Sequence, residues 1–459
     1  MYIYKLNFKQ DLWRLYAGLK SKNSVFLDSS LKGEDVSRYS IMGYKPRMMM
    51  RSKGEVIEYR DKKGWHKVKG NPLAFLDKIL ASGREYEAKN CPFPFCGGLI
   101  GYISYDMKNM IERLPAKNQD EIGVYDQYWG VYDTFVVQDH ADESLYLVSY
   151  DREEAKEAAE ELEYLAFSRE NPFAEGAYIG EFKSNFSRDE YIDAVQKVRW
   201  YIRQGDIYQV NLSQRFKFEV KGNTRYIYDV IRRISPAPFA AFLGYEEFDV
   251  LSISPERFIL VEGDYIETRP IKGTRPRGRN PKEDQALREE LANSIKDKAE
   301  LLMIVDLERN DLGRISRPGT VRVPELFRIK DYATIFHLDS IVTGRLKSGI
   351  TYEEIIRATF PGGSITGAPK IRSMEIIEEL EPVCRGVYTG SIGYIDYRGN
   401  CDLNIAIRTA VIKDGWGYYQ AGGGLTIDSD PEMEYEETWH KTKSLVLTRE
   451  EVNKSVCLV

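Results

Sequence analysis

Hydrophobic and polar positions alternate over short stretches through the first third of the chain. The runs VFLDSS (25–30), YSIMGYKP (39–46), EVIEYR (55–60), GGLIGYISYD (97–106), YDTFVVQD (132–139) and SLYLVSYD (144–151), separated by turn residues, predict β-strands. The pattern then changes period. REEAKEAAEELEYLAFSRE (152–170) is rich in helix formers with apolar residues at helical spacing, and NPFAEGAYIG (171–180) breaks it with Pro and Gly. A division into a β-rich region, 1–165, and a second region, 180–459, follows.

The second region opens with a strong helix signal over 187–206. Ser187 and Glu190 have capping-box spacing, Ile192, Val195, Val198 and Ile202 form one stripe, and Gly205 ends it. Residues 207–220 alternate as a strand, and 248–273 read as a strand pair turning at Glu262 to Asp264. One long helix is expected over 281–311, begun by Pro281 and striped by Leu287, Leu291 and Ile295. The chain returns to strands at 386–396, 403–412 and 416–427 before a last helix near Pro431. Such a mixture predicts an α+β fold with large antiparallel sheets and flanking helices, as two domains or two interleaved halves.

Composition narrows the function. The 65 basic and 71 acidic residues give a formal charge of -6, which argues against a general nucleic-acid or anionic-membrane binder. No apolar run approaches the roughly 20 residues of a membrane span, and the start lacks a signal-peptide layout, so a cytoplasmic location is expected. Five scattered cysteines (Cys91, Cys96, Cys384, Cys401, Cys457) read as free structural thiols, with no second pair to complete a zinc site at Cys91 and Cys96.

Three clusters carry candidate chemistry. Asp297 with Glu300, and Glu434 with Glu437, lie three apart on predicted helices, each pair on one face. Each reads as a solvated acidic face or, with Glu300 beside the buried run LLMIVDL, as carboxylates for a hard cation such as Mg2+. FPGGSITGAPK lacks the Lys and Ser/Thr of a nucleotide loop, while Gly422, Gly423 and Gly424 read either as an anion-approaching backbone or as a hairpin or bulge. From Arg269 to Lys282 there are six cations, no acid and no aromatic residue, which favours a turn aimed at a small anion over nucleic acid. A solvated loop is the other reading.

Taken in order, RPIKGTRPRG, KAELLMIVDLERNDLGR, FPGGSITGAPK, NIAIRTA, QAGGG and EYEETWHKTKSL resemble the chorismate-utilising enzymes over residues 180–450, and within them the aminodeoxychorismate synthase component I branch. The resemblance implies the chorismate-binding fold, chorismate and ammonia as substrates, Mg2+ as cofactor, and 4-amino-4-deoxychorismate, feeding 4-aminobenzoate and folate, as product. It also implies a separate glutamine amidotransferase subunit, since no G-x-C-x-G glutaminase segment is present. The first region resembles that of component I proteins too; in the anthranilate synthases it forms a feedback tryptophan site, and here Asp28 stands where that motif has glutamate.

Residue by residue, the resemblance makes Lys272 a covalent nucleophile at C2 of chorismate, where anthranilate synthase component I, the alternative, typically has alanine. A nucleophilic lysine needs desolvation or neighbouring positive charge, here expected from Arg269, Arg275 and the metal. The plainer reading of Lys272 is a cation paired with a substrate carboxylate. Glu300 and Glu437 match the Mg2+ ligands, with Asp297 and Glu434 behind them. Gly273, Thr274, Tyr388, Arg408, Gly422, Gly424 and Lys441 match substrate contacts. Glu256 resembles the acid-base residue near the leaving hydroxyl, and His337 a histidine near the ring or, equally, a hydrogen-bonded core histidine. An idle ligand sensor would have lost Glu300, Glu437 or Arg408, and all three are present.

Overall fold

Both faces of the strands Gly98–Ile103, Gln127–Tyr132 and Ser391–Asp396 are buried throughout, so these runs must lie at the centre of a sheet covered on both sides. The computed structural model describes residues 1–31, 36–83, 88–332 and 335–456; Cys457 falls outside them. Among the described residues there are two large sheets, of 13 and 12 strands, and every pairing between their strands is antiparallel.

The first sheet runs Tyr2–Lys5, Ser144–Ser149, Thr134–Asp139, Tyr39–Gly43, Val25–Asp28, Phe239–Gly244, Phe248–Ser254, Thr409–Lys413, Trp416–Leu425, Gln209–Gly222, Ala177–Ile179. The second begins at Ile271–Pro276, Ile335–Arg345, Tyr265–Arg269, Arg257–Glu262 and Cys401–Asn404, and continues through Ser391–Asp396 and Gly98–Ile103 to Gly64–Lys69. The sequence division at 165–180 falls in the connection between Arg152–Phe167 and Ala177–Ile179, and strands from its two sides share both sheets. Val25–Asp28 pairs with Phe239–Gly244, and Gly98–Ile103 with Ser391–Asp396.

Strand alternation sorts side chains into two cores. Val25 and Ile41 join a cluster shared with second-sheet residues such as Leu99, Val131 and Leu403, whereas their neighbours Phe26 and Met42 pack with Trp13, Leu162, Tyr228 and Leu445 of the flanking helices. The helix Arg188–Gln204 has both halves of its capping box, and Gly205 closes it with φ 82°. No helix among the described residues is long and apolar enough to cross a membrane.

Two expectations are corrected. The single helix over 281–311 is two helices, Pro281–Asn293 and Ile295–Ile315, because Ser294 adopts an extended conformation and its side chain accepts from the Asp297 amide, restarting the helix. The strand pair over 248–273 is four strands in two sheets: the chain leaves the first sheet at Ser254, passes Pro255 and Glu256, and enters the second at Arg257. Residues 403–412 make the reverse passage, from Asn404 to Thr409. The two passages are tied together: Ile405 N donates to Glu256 O (3.0 Å), Ser254 Oγ to Ile405 O (2.6 Å) and Ile253 N to Arg408 O (3.1 Å).

Candidate active site

Lys272 lies on the edge strand Ile271–Pro276, and the residue after it explains its aim. The pairing with Ile335–Arg345 shifts between Lys272↔Leu338 and Thr274↔His337, and Gly273 takes up the bulge at φ 71°. A Cβ there would stand 2.9 Å from both Asp297 Cγ and Leu291 Cδ1, so conformation and space each require glycine. The half-buried Lys272 donates from Nζ to the Ser364 carbonyl at 3.2 Å. Burial holds its amine below the ordinary lysine range, against the pull of Glu300 and Glu256, and Lys441 adds to the lowering.

That cationic neighbour is not the one expected. Arg269 is bound to Glu267, and Arg275 to Glu290 (2.7 Å) and Asp297 (3.2 Å), so their charge is neutralised locally. The arginine-rich stretch, expected as a turn or loop, is largely the edge strand Ile271–Pro276 with its arginines ion-paired, Arg277 joining Asp284 at 2.7 Å just beyond it.

Glu256 and Arg408 sit on the two passages between the sheets, where a polar side chain can point into the gap instead of a core. Glu256 is 4% exposed, and burial raises its carboxyl to about 7 despite the Ser364 side chain, Lys272 and the Ile271 amide, which donates to Oε1 at 3.4 Å. Arg408 takes a left-handed conformation, φ 51°, and forms no ion pair among the described residues. A half-buried guanidinium without a counter-ion is a receptor for an anion. Its charge reaches His337, whose basicity burial and Arg408 together depress to about 3, so the imidazole is neutral. His337 Nδ1 lies 2.8 Å from Thr274 Oγ1, and Nε2 has no protein partner.

Glu434 and Glu437 converge on the strand Trp416–Leu425, while Asp297 lies against Gly273 and Arg275. Gly422, Gly423 and Gly424 are neither hairpin nor loop but lie inside this strand, opposite Ser213, Leu212 and Asn211. A Cβ on Gly423 would stand 3.3 Å from Glu434 Oε2 and from Glu437 Oε1, and one on Gly424 would stand 3.2 Å from Lys272 Nζ. Gly423 and Gly424 therefore form a bare floor beneath the helix Pro431–Lys441 and the Lys272 amine. Burial raises Glu300 and Glu434, the latter accepting from Ser429 Oγ at 2.7 Å, while Lys441, 2.6 Å away, lowers Glu437. Lys441 also donates to the Gly422 carbonyl at 2.7 Å.

No group of three or more His, Cys, Asp or Glu among the described residues is arranged to hold a metal by itself. The donor set still fits a hard cation that uses one or two carboxylates and keeps its waters, since Glu300 feels the repulsion of Asp297 and Glu437, offset by Lys272 and Lys296, and Glu437 is offset by Lys441, Lys296 and Lys272.

Of the residues expected at the site, Lys272, Glu256, Glu300, Glu434, Glu437, Lys441, Gly422 and Gly424 share this space, and Gly273, Thr274, His337, Arg408 and Asp297 border it. Tyr388 is buried behind it with its ring 5.8 Å from the Arg385 guanidinium. Two members were not anticipated. Ser364 supplies the carbonyl that receives Lys272, and its side chain lies beside Glu256; Gln209 lies against Gly424, and its Oε1 has no hydrogen-bond partner among the described residues. The sequence signal for Ser364 was the FPGGSITGAPK segment itself, whereas Gln209 looked like any strand residue. With His337 Nε2, these buried polar atoms mark a site built for a polar ligand.

Two cavities lie elsewhere. One of about 680 Å3 opens beside Lys20, Arg225 and Asp249, and one of about 310 Å3 is lined by Leu27, Asp28, Arg38, Tyr39, Phe239 and Tyr394. The second includes the FLDSS and RYSIMG segments, and there Asp28 is already engaged by Arg232 at 2.7 Å and Tyr228 at 3.2 Å.

Comparison with known proteins agrees with this geometry. The sequence model of one family, described as chorismate binding enzyme, matches residues 47–447. Aminodeoxychorismate synthase component 1 of Klebsiella aerogenes is 39% identical over 423 residues, covering 92% of this chain and 93% of its own. Anthranilate synthase component 1 of Aquifex aeolicus is 38% identical over 450 residues, covering 94% and 90%. The crystal structure of anthranilate synthase component I from Streptococcus pneumoniae superposes with a TM-score of 0.81 at 32% identity, over 96% of this chain and 98% of that one.

Proposed function

The chain belongs to the chorismate-binding enzymes, and we propose that within them it is an aminodeoxychorismate synthase component I, converting chorismate and ammonia to 4-amino-4-deoxychorismate. The two synthase types are nearly equal in identity to this chain, so overall similarity does not choose between them. The observation that carries the choice is Lys272: an enclosed amine, held below its ordinary range, on a bulge that faces Glu256 and the carboxylate pair.

In this reading Arg408, Lys441 and the glycine floor bind the carboxylates of chorismate. Glu300 and Glu437 would hold Mg2+, which would supply charge neutralisation at the substrate carboxylate. Once it has given up its proton, which burial favours, the Lys272 amine forms a bond to C2, the ring double bonds shift, and the C4 hydroxyl leaves as water with a proton from Glu256. Ammonia then bonds to C4, the bond between C2 and Lys272 breaks, and Glu256 takes up the proton that ammonia sheds. Neutral His337 presents Nε2 to the ring side without adding charge. Ammonia comes from a separate glutamine amidotransferase subunit.

Anthranilate synthase component I is the competing activity, and it requires elimination of pyruvate. Intact-protein mass spectrometry tests the proposal. With chorismate and Mg2+ but no ammonium, the protein should gain the mass of chorismate less water on the peptide carrying Lys272; an unmodified protein that consumes chorismate would overturn the covalent route.

A further inference from the structure

The cation nearest Glu437 in this structure is a side chain of its own helix. Lys441 Nζ lies 2.6 Å from Glu437 Oε1 and donates to the Gly422 carbonyl at 2.7 Å, so the ammonium joins the helix Pro431–Lys441 to the strand Trp416–Leu425. An ordinary Glu to Lys pair four apart on a helix needs no strand partner. On the other helix, Lys296 stands 4.0 Å from Glu300. Lys272 also draws on Glu300 across the cleft, but of these lysines Lys441 is the one in direct contact with a carboxylate of the pair.

We propose that Lys441 is a built-in counter-cation of Glu437, displaced from it when a divalent cation binds there and thereby released to a carboxylate of the incoming ligand. The inference rests on the reading of Glu300 and Glu437 as metal ligands. A hard divalent cation needs a carboxylate oxygen at about 2.0 to 2.1 Å. An ammonium already on that oxygen would then face a double positive charge at contact range, and repulsion moves the flexible lysine. The path is open: Lys441 is about 40% exposed, and Gly423 has no side chain where a Cβ would lie 3.6 Å from Nζ and 3.3 Å from Glu437 Oε1. The metal frees the cation that the anion needs, and the anion retains the cation that competes with the metal. The two ligands therefore bind with positive coupling through Lys441.

Mn2+ serves as the probe, its free concentration read by electron paramagnetic resonance, without ammonium and with or without chorismate. Without chorismate, Lys441→Met should bind Mn2+ about fivefold to tenfold more tightly than wild type, the competing ion pair being gone. Chorismate should tighten Mn2+ binding in wild type and do so by a smaller factor in Lys441→Met. Lys441→Arg keeps the charge and should return the wild-type affinity, while Lys296→Met should keep the full chorismate effect. Equal or weaker Mn2+ binding by Lys441→Met, an undiminished chorismate effect in it, or the same loss in Lys296→Met would overturn the proposal. Absence of Mn2+ binding in wild type, with and without chorismate, would remove the metal assignment and this inference together. Intact coupling in a protein that does not aminate chorismate would leave the inference standing and remove only the assigned reaction.

Discussion

Arg385 and Glu381 form a two-pronged ion pair, 2.8 and 2.7 Å, with both side chains about 1% exposed. The guanidinium also donates to Ile365 O (3.0 Å) and Asn211 O (2.8 Å), and Glu381 accepts from the Ser213 amide and hydroxyl. One buried pair thus fixes the neighbour of Ser364 to the strand that backs the glycine floor. Removing one partner leaves a buried charge alone, so Arg385→Met should cost about 3 to 5 kcal/mol in urea unfolding. Its kcat/KM should fall further than the unfolded fraction accounts for.

Glu256 gives a stability signature of defined sign. Its folded carboxyl titrates near 7, above its ordinary value of 4.5, so its contribution is fully present below about 4.5 and is lost as pH rises through 7. Glu256→Gln removes that loss. The variant should gain on wild type between pH 5 and pH 8, by up to about 3 kcal/mol on the scale of 1.36 kcal/mol per pH unit, in paired denaturant titrations. A constant difference across that range would contradict the burial of an ionisable group here.

The same carboxyl should shape the first chemical step. If Glu256 gives its proton to the departing hydroxyl, the rate of adduct formation on Lys272 falls as pH rises above about 7. His337, depressed to about 3, does not titrate in that range. His337→Gln should therefore lower the rate of adduct formation while leaving the position of this limb unchanged.

Arg408 separates binding from stability. Its half-buried guanidinium has no counter-ion to lose, so Arg408→Met should leave the melting temperature unchanged or higher. Loss of a charged hydrogen bond to the ligand should cost about 1.5 to 3 kcal/mol, a drop of about 10 to 100-fold in kcat/KM seen mainly in KM for chorismate.

Local signals in the sequence carried a good part of this picture. The helix at Ser187 formed with both capping contacts, and the alternation at 25–30, 39–46 and 144–151 became strands, because each depends on neighbours a few residues away. Features decided by distant residues were not legible. Ser294 could be seen as a polar residue but not as a helix restart, and Pro255 and Arg408 gave no sign that the chain changes sheet there. The glycine triplet read as backbone for an anion or as a hairpin or bulge, and not as continuous strand, because its purpose, room for Lys272 and two carboxylates, belongs to other elements. Arg269 and Arg275 looked like site cations, and their partners Glu267, Glu290 and Asp297 could be paired with them only in three dimensions.

The most direct measurement compares products formed from chorismate, Mg2+ and ammonium by the wild-type protein and by Lys272→Ala, identified by mass spectrometry. The account predicts 4-amino-4-deoxychorismate from wild type and its loss in the variant, which should still bind chorismate. Anthranilate and pyruvate from the wild-type protein would contradict it.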